Sequence, residues 1–157
     1  MRRHTVSATL TAFAVLLVTA PTLSAQDPGS SRYGVWKIRS DNPPPSSNIM
    51  TYEPWGDGGM HITVESTNAR GESSKWSYAT LFDGEFRPVE GQENASTAVE
   101  VIDERTTRIS NMRNGRVTQV IINTLSEDGQ RIDNEYVRLD ENGKITGVGH
   151  AIYDRIG

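Results

Sequence analysis

The sequence predicts an all-β protein, a single antiparallel up-and-down barrel of about eight to ten strands. Three observations carry this. Turn signals recur near residues 57, 70, 84, 104, 115, 128 and 142, a spacing of roughly 10 to 14 that suits hairpin-connected strands. Between them, side chains alternate with a period of two, which sends successive residues to opposite faces of a strand. No window after residue 25 holds a helical period over ten or more residues. Strands with no helices to cover their edges favour closure, which removes the edges.

The clearest strand is at 75–82. Trp76, Tyr78, Thr80 and Phe82 fall on one face, and Lys75, Ser77, Ala79 and Leu81 fall on the other. Asp83-Gly84 follows, a dipeptide suited to the two positive φ values of a type I′ turn. The expectation is a tight hairpin returning through Glu85-Phe86-Arg87 and ceasing to pair at Pro88, which has no N–H to donate.

The chain has 157 residues, enough for one domain. Arg2, Arg3 and His4 precede an apolar run at 12–20, and Leu23-Ser24-Ala25 offers a small residue at a cut. That is a secretory signal pattern, expected to be cleaved after Ala25. The run is short of the roughly 20 apolar residues of a membrane span. The expected organisation is a signal segment at 1–25, a flexible leader at 26–32 and the barrel domain at 33–157. The protein is then exported, to a periplasm or the medium.

Without residues 1–25 the chain carries 14 Lys and Arg against 20 Asp and Glu. A net charge near −6 argues against nucleic acid or an anionic membrane surface as partner. There is no cysteine, which excludes disulfides, thiolate catalysis and cysteine metal sites. Nothing in the sequence sets an oligomeric state.

In chain order, strands are expected at 35–39, 49–53, 60–65, 75–82, 97–102, 106–112, 117–125, 131–139 and 145–156. Pro43, Pro44 and Pro45 make an extended loop. The most β-branched run, at 117–125, reads as a central strand. Asn114-Gly115 is a further hairpin signal.

Gly34-Val35-Trp36 resembles the Gly-x-Trp that opens the first strand of lipocalins. With Trp76-Ser77-Tyr78, Phe82-Asp83-Gly84, Pro88-Val89-Glu90-Gly91, Ile102-Asp103-Glu104-Arg105-Thr106 and Tyr153-Asp154-Arg155, the chain is similar to small secreted bacterial lipocalin-like proteins. The resemblance spans nearly all of the mature chain. It implies a calycin-type barrel. It also implies an arginine packed on Trp36, for which Arg138 and Arg155 both qualify. No Thr-Asp-Tyr turn is present, and no flanking helix is expected after the last strand.

Candidate site residues follow from phase. Tyr78, Tyr136 and His150 sit in apolar phases of three separate strands, and each brings a ring and a polar atom. With Trp76 they make the expected ligand-binding set for a small apolar molecule. Ring faces with a few polar anchors are how such pockets are commonly lined. The same aromatics could instead fill a barrel that acts as a scaffold or interaction module. A third reading is a small enzyme with His150 as acid/base beside a Tyr or Asp.

No cofactor is expected, and no metal. His61 and His150 are the only histidines after residue 25, and a zinc or iron site usually takes three protein ligands. Gly56-Asp57-Gly58-Gly59 lacks the Gly-Lys-Ser/Thr of a phosphate loop and reads as a turn. Arg105, Arg108, Arg113 and Arg116 fall on one predicted hairpin, where they either grip an anion or stand solvated among acidic neighbours.

Overall fold

The computed structural model describes residues 29–157. The expected signal segment, the expected cut after Ala25 and residues 26–28 lie outside the described residues. Ten strands form one antiparallel sheet: β1 Gly34–Ile38, β2 Ser47–Trp55, β3 Gly59–Thr67, β4 Ser73–Thr80, β5 Arg87–Pro88, β6 Ala95–Val101, β7 Thr106–Arg113, β8 Arg116–Leu125, β9 Arg131–Leu139 and β10 Ile145–Arg155. Their order is β4-β3-β2-β1-β10-β9-β8-β7-β6-β5. This is an up-and-down meander in which β1 pairs with β10. Among the described residues there is no helix, so none is long and apolar enough to cross a membrane.

The sheet curls until its two ends meet. Ser77 and Glu90 exchange backbone hydrogen bonds of 3.0 and 2.8 Å across that seam. Gly91 makes the approach possible. Its φ is +81°, and a Cβ there would stand 2.6 Å from the Lys75 carbonyl oxygen, a distance no side chain tolerates.

Alternation decides what faces inward. Trp76, Tyr78, Thr80 and Phe82 do share the buried side, while Lys75 and Leu81 are exposed. Neighbouring strands meet them in register: Tyr52 opposite Ile62 and Ile62 opposite Tyr78, Met50 opposite Val64 and Val64 opposite Trp76. The core includes Trp36, Ile62, Val99, Leu125, Ile132 and Tyr153, each at most 4% exposed.

Of two expected hairpin turns, one forms and one is corrected. Asn114 and Gly115 take φ of +49° and +76°, as a type I′ turn requires. Asp83-Gly84 does not. Phe82 and Gly84 have positive φ, and Asp83 does not. The chain there pairs with β6 rather than folding back on β4: Asp83 bridges Glu100, and the Gly84 N–H reaches the Val99 carbonyl at 3.0 Å. Thr80 Oγ1 holds the bend by accepting from the Phe82 N–H at 2.8 Å. Arg87 and Pro88 then pair with Thr97 and Ser96, so Pro88 ends a strand against β6.

The leader is also shorter than expected. Arg32 is 2% exposed, and its main chain and side chain both belong to the barrel. Its carbonyl accepts from Trp36 Nε1 at 2.9 Å.

Candidate functional site

One end of the barrel is closed. The Arg155 guanidinium lies 4.1 Å over the Trp36 ring. It donates to the carbonyls of Gly129, Tyr33 and Ser31, tying the start of the fold to its last strand. Of the two arginines the sequence offered, Arg155 fills this place. Arg32 enters beneath the barrel floor and donates to Asn123 Oδ1 and to the carbonyls of Arg105 and Asn123. Burial lowers its pKa, and the nearby Tyr52 and Asp103 oppose that fall.

A polar chain rises from Arg32. Asn123 Nδ2 donates to Asn134 Oδ1 at 2.8 Å, and Asn134 Nδ2 donates to the Tyr136 hydroxyl at 3.2 Å. The Tyr136 and Tyr153 hydroxyls stand 3.5 Å apart. The Tyr52 hydroxyl stands 3.5 Å from Met50 Sδ and also interacts with the Asn123 side chain. Burial pushes the Tyr52 phenol up to about 12, with the Arg32 charge opposing part of the rise. Burial raises Tyr78 and Tyr153 further, helped by neighbouring phenol oxygens. These three phenols are therefore neutral donors at ordinary pH.

Above this floor is an interior cavity of about 230 Å³. Met50, Ile62, Val64, Ile109 and Ile121 give it apolar walls, and Tyr52, Tyr78, Tyr136 and Tyr153 line it among them. Asn48 also lines it. Asn48 Oδ1 is the one buried side-chain polar atom, among the described residues, without a hydrogen-bond partner. A buried acceptor left unpaired costs about 1–3 kcal/mol, so a donor or water reaching this oxygen would be favoured.

The cavity continues into a wider mouth of about 460 Å³. Trp76, Asn111 and Gln119 line both. Thr97 Oγ1 donates to Asn111 Oδ1 and Asn111 Nδ2 to Gln119 Oε1, each at 2.9 Å. The mouth's other polar residues include Gln92, Ser96, Arg113 and Arg138.

Of the four residues expected to bind a ligand, Tyr78, Tyr136 and Trp76 come together around this cavity. Trp76 stacks beside Tyr78, with ring centroids 6.0 Å apart. His150 does not join them. It is exposed on the outer wall, opposite Glu135, with Nε2 3.5 Å from Asp133 Oδ1 and 3.6 Å from Glu135 Oε1. The apolar phase that suggested an inward His150 is the outer face of β10, where Val148 is 73% exposed. The inner face there carries Gly147, Gly149, Ala151 and Tyr153.

The four hairpin arginines do not gather either. Arg108 pairs with Glu100 and Arg116 with Glu141, Arg113 bonds Gln92, and Arg105 belongs to the turn at the opposite end. Sequence reasoning missed Arg32, Asn123 and Asn134. Only the asparagine pair left a signal, as amides in the buried phase of two β-rich runs.

No family model matches the chain, and no curated protein matches it. Solved structures do. Wild-type fluorescent protein UnaG is 12% identical over 79% of this chain and 96% of that one, with a TM-score of 0.53. A single-site mutant of UnaG gives 10% identity over 81% and 97%, with a TM-score of 0.55. At that identity the likeness is one of fold, and it agrees with a calycin-type barrel.

Proposed function

We propose that the protein is an exported barrel that binds a small, mainly apolar molecule in its interior. The observation that carries this is the interior cavity of about 230 Å³, with its apolar walls and the unpaired Asn48 Oδ1. A filled scaffold would use side chains to occupy that space, because interiors are otherwise close-packed. Apolar walls with a few polar anchors are the usual make-up of a small-molecule pocket. The cavity's continuation into a polar mouth supplies an entry path. Export rests on the basic start and the apolar run at 12–20.

His150 as an acid/base catalyst is not carried forward. Its titratable neighbours within salt-bridge distance lie on the outer wall, away from the cavity.

Tryptophan fluorescence provides the test, since Trp76 borders both cavity and mouth. Single-chain amphiphiles, isoprenoids and small aromatics titrated into the protein should give saturable changes. Tyr78→Phe and Asn48→Leu should alter the affinity. A flat response across the whole panel would remove the binding reading. Mass spectrometry of the exported protein checks the address, with Gln26 expected as the first residue.

A further inference from the structure

We propose that the ligand is an anionic amphiphile, seated tail-inward, with its charged head held at the mouth by Arg138. This rests on the reading above that the barrel interior takes a small molecule, and it adds the ligand's chemistry and orientation.

The first argument is charge. The chain carries 20 acidic residues and a net charge of −4. Yet among the described residues no carboxylate lines either the cavity or its mouth. The charged side chains there are Arg113 and Arg138. In an acidic protein, such a concave surface is selectively positive, and concave walls focus the field.

The second argument is that Arg138 is unengaged. Arg39, Arg70, Arg87, Arg108 and Arg131 each sit on a carboxylate. Arg113 donates to Gln92 Oε1 at 2.8 Å. The Arg138 guanidinium has neither hydrogen bond nor ion pair among the described residues. It shares the inward phase of Asn134 and Tyr136 and is paired in register with Gln119 and Gly147. Gly147 and Gly149 run alongside it: Cβ atoms there would lie 3.7 Å from Nη1 and 4.0 Å from Nη2, ordinary contact distances. Beside it, Gln119 accepts through Oε1, and its amide hydrogens have no acceptor among the described residues. A guanidinium fork with an adjacent amide suits a carboxylate, sulfate or phosphate head.

The third argument fixes the orientation. The cation at the other end, Arg32, is already satisfied by Asn123 and by main-chain carbonyls. An anion driven to the floor would lose its hydration wholly, which is costly without a free partner. At the mouth it keeps part of its water. The cavity of about 230 Å³ has room for a single medium-length tail.

The test uses four probes with one ten-carbon tail, below their micelle concentrations: decanoate, decyl sulfate, decan-1-ol and decyltrimethylammonium. Binding to the full chain is read by tryptophan fluorescence at low and high salt. The expected result is that an anion binds about tenfold tighter than the alcohol, the worth of one hydrogen-bonded charge contact, with the cation weakest. Salt and Arg138→Gln should both erase the anion's advantage and leave the alcohol unchanged. Arg138→Lys should restore part of it. Decanoate against decyl sulfate separates a carboxylate head from a sulfate one. Equal binding of anion and alcohol, or an anion advantage that survives Arg138→Gln, overturns the head-group assignment and leaves the barrel a binder. Failure of all four probes to bind overturns both readings.

Discussion

The two ends of the barrel treat arginine in opposite ways. At the closed end Arg32 and Arg155 are surrounded by carbonyls and an amide oxygen, and Arg155 also covers Trp36. Those contacts seal the end. At the mouth Arg138 lies beside Gly147 and Gly149 with no acceptor among the described residues. The closed end commits its cations to cohesion, and the mouth keeps one available. The same contrast runs through the aromatics: Trp36 is 0% exposed and fixed by its N–H, while Trp76 is half-buried beside open volume.

The largest effect should separate the two tryptophans. Trp36→Ala is expected to cost about 3–5 kcal/mol, the range for a large aromatic lost from a packed core. Trp76→Ala should cost only about 1–2 kcal/mol, because much of its ring already faces a cavity. Urea denaturation checks both. Equal costs would show that the mouth is packed as tightly as the base.

The arginines give the next comparison. Arg32→Ala removes a buried guanidinium and its hydrogen bonds to Asn123 Oδ1 and to the Arg105 carbonyl, which keeps the Leu125 N–H, so it is expected to cost about 2–4 kcal/mol. Arg138→Gln should stay within about 0.5 kcal/mol, as surface changes do. Thermal and urea unfolding of the two variants, side by side, measures the difference.

A further effect is alkaline. Burial raises the Tyr52 phenol from 10.0 to about 12, and Tyr78 and Tyr153 move the same way. The raised value means the folded state holds its proton more tightly than the unfolded chain. The corresponding stability is therefore complete below about pH 10 and is lost as pH rises through the folded value. For Tyr52 that is on the order of 2–3 kcal/mol. Ultraviolet absorbance should show these phenols ionising together with unfolding, above the range of a free tyrosine. Independent, early ionisation of all five tyrosines would mean the floor is open to water.

Much of the architecture was legible because strands are local. The alternation at 75–82, the β-branched run at 117–125 and the turn at Asn114-Gly115 each depend on residues close in sequence. The position of the candidate site was legible in part: Tyr78, Tyr136 and Trp76 do line the cavity, and His150 stands on the outer wall. On β10 a period of two separates Val148, His150 and Ile152 from Gly147, Gly149 and Ala151, and it says nothing about which set faces in. Apolar character pointed to the wrong set. Small residues face inward there, alongside Arg138 and Tyr136 of β9.

By itself the sequence determined the all-β class, the positions of most strands and the partition of each into two faces, since these follow from backbone pleat and turn stereochemistry. Only the tertiary structure decided which face of β10 is interior, that Arg155 rather than Arg138 covers Trp36, that Arg32 is floor and not leader, and that the bend at Asp83 pairs with β6. Each depends on which groups from distant strands reach the same volume once the sheet closes. That is a competition for space and for hydrogen-bond acceptors among residues up to 124 positions apart.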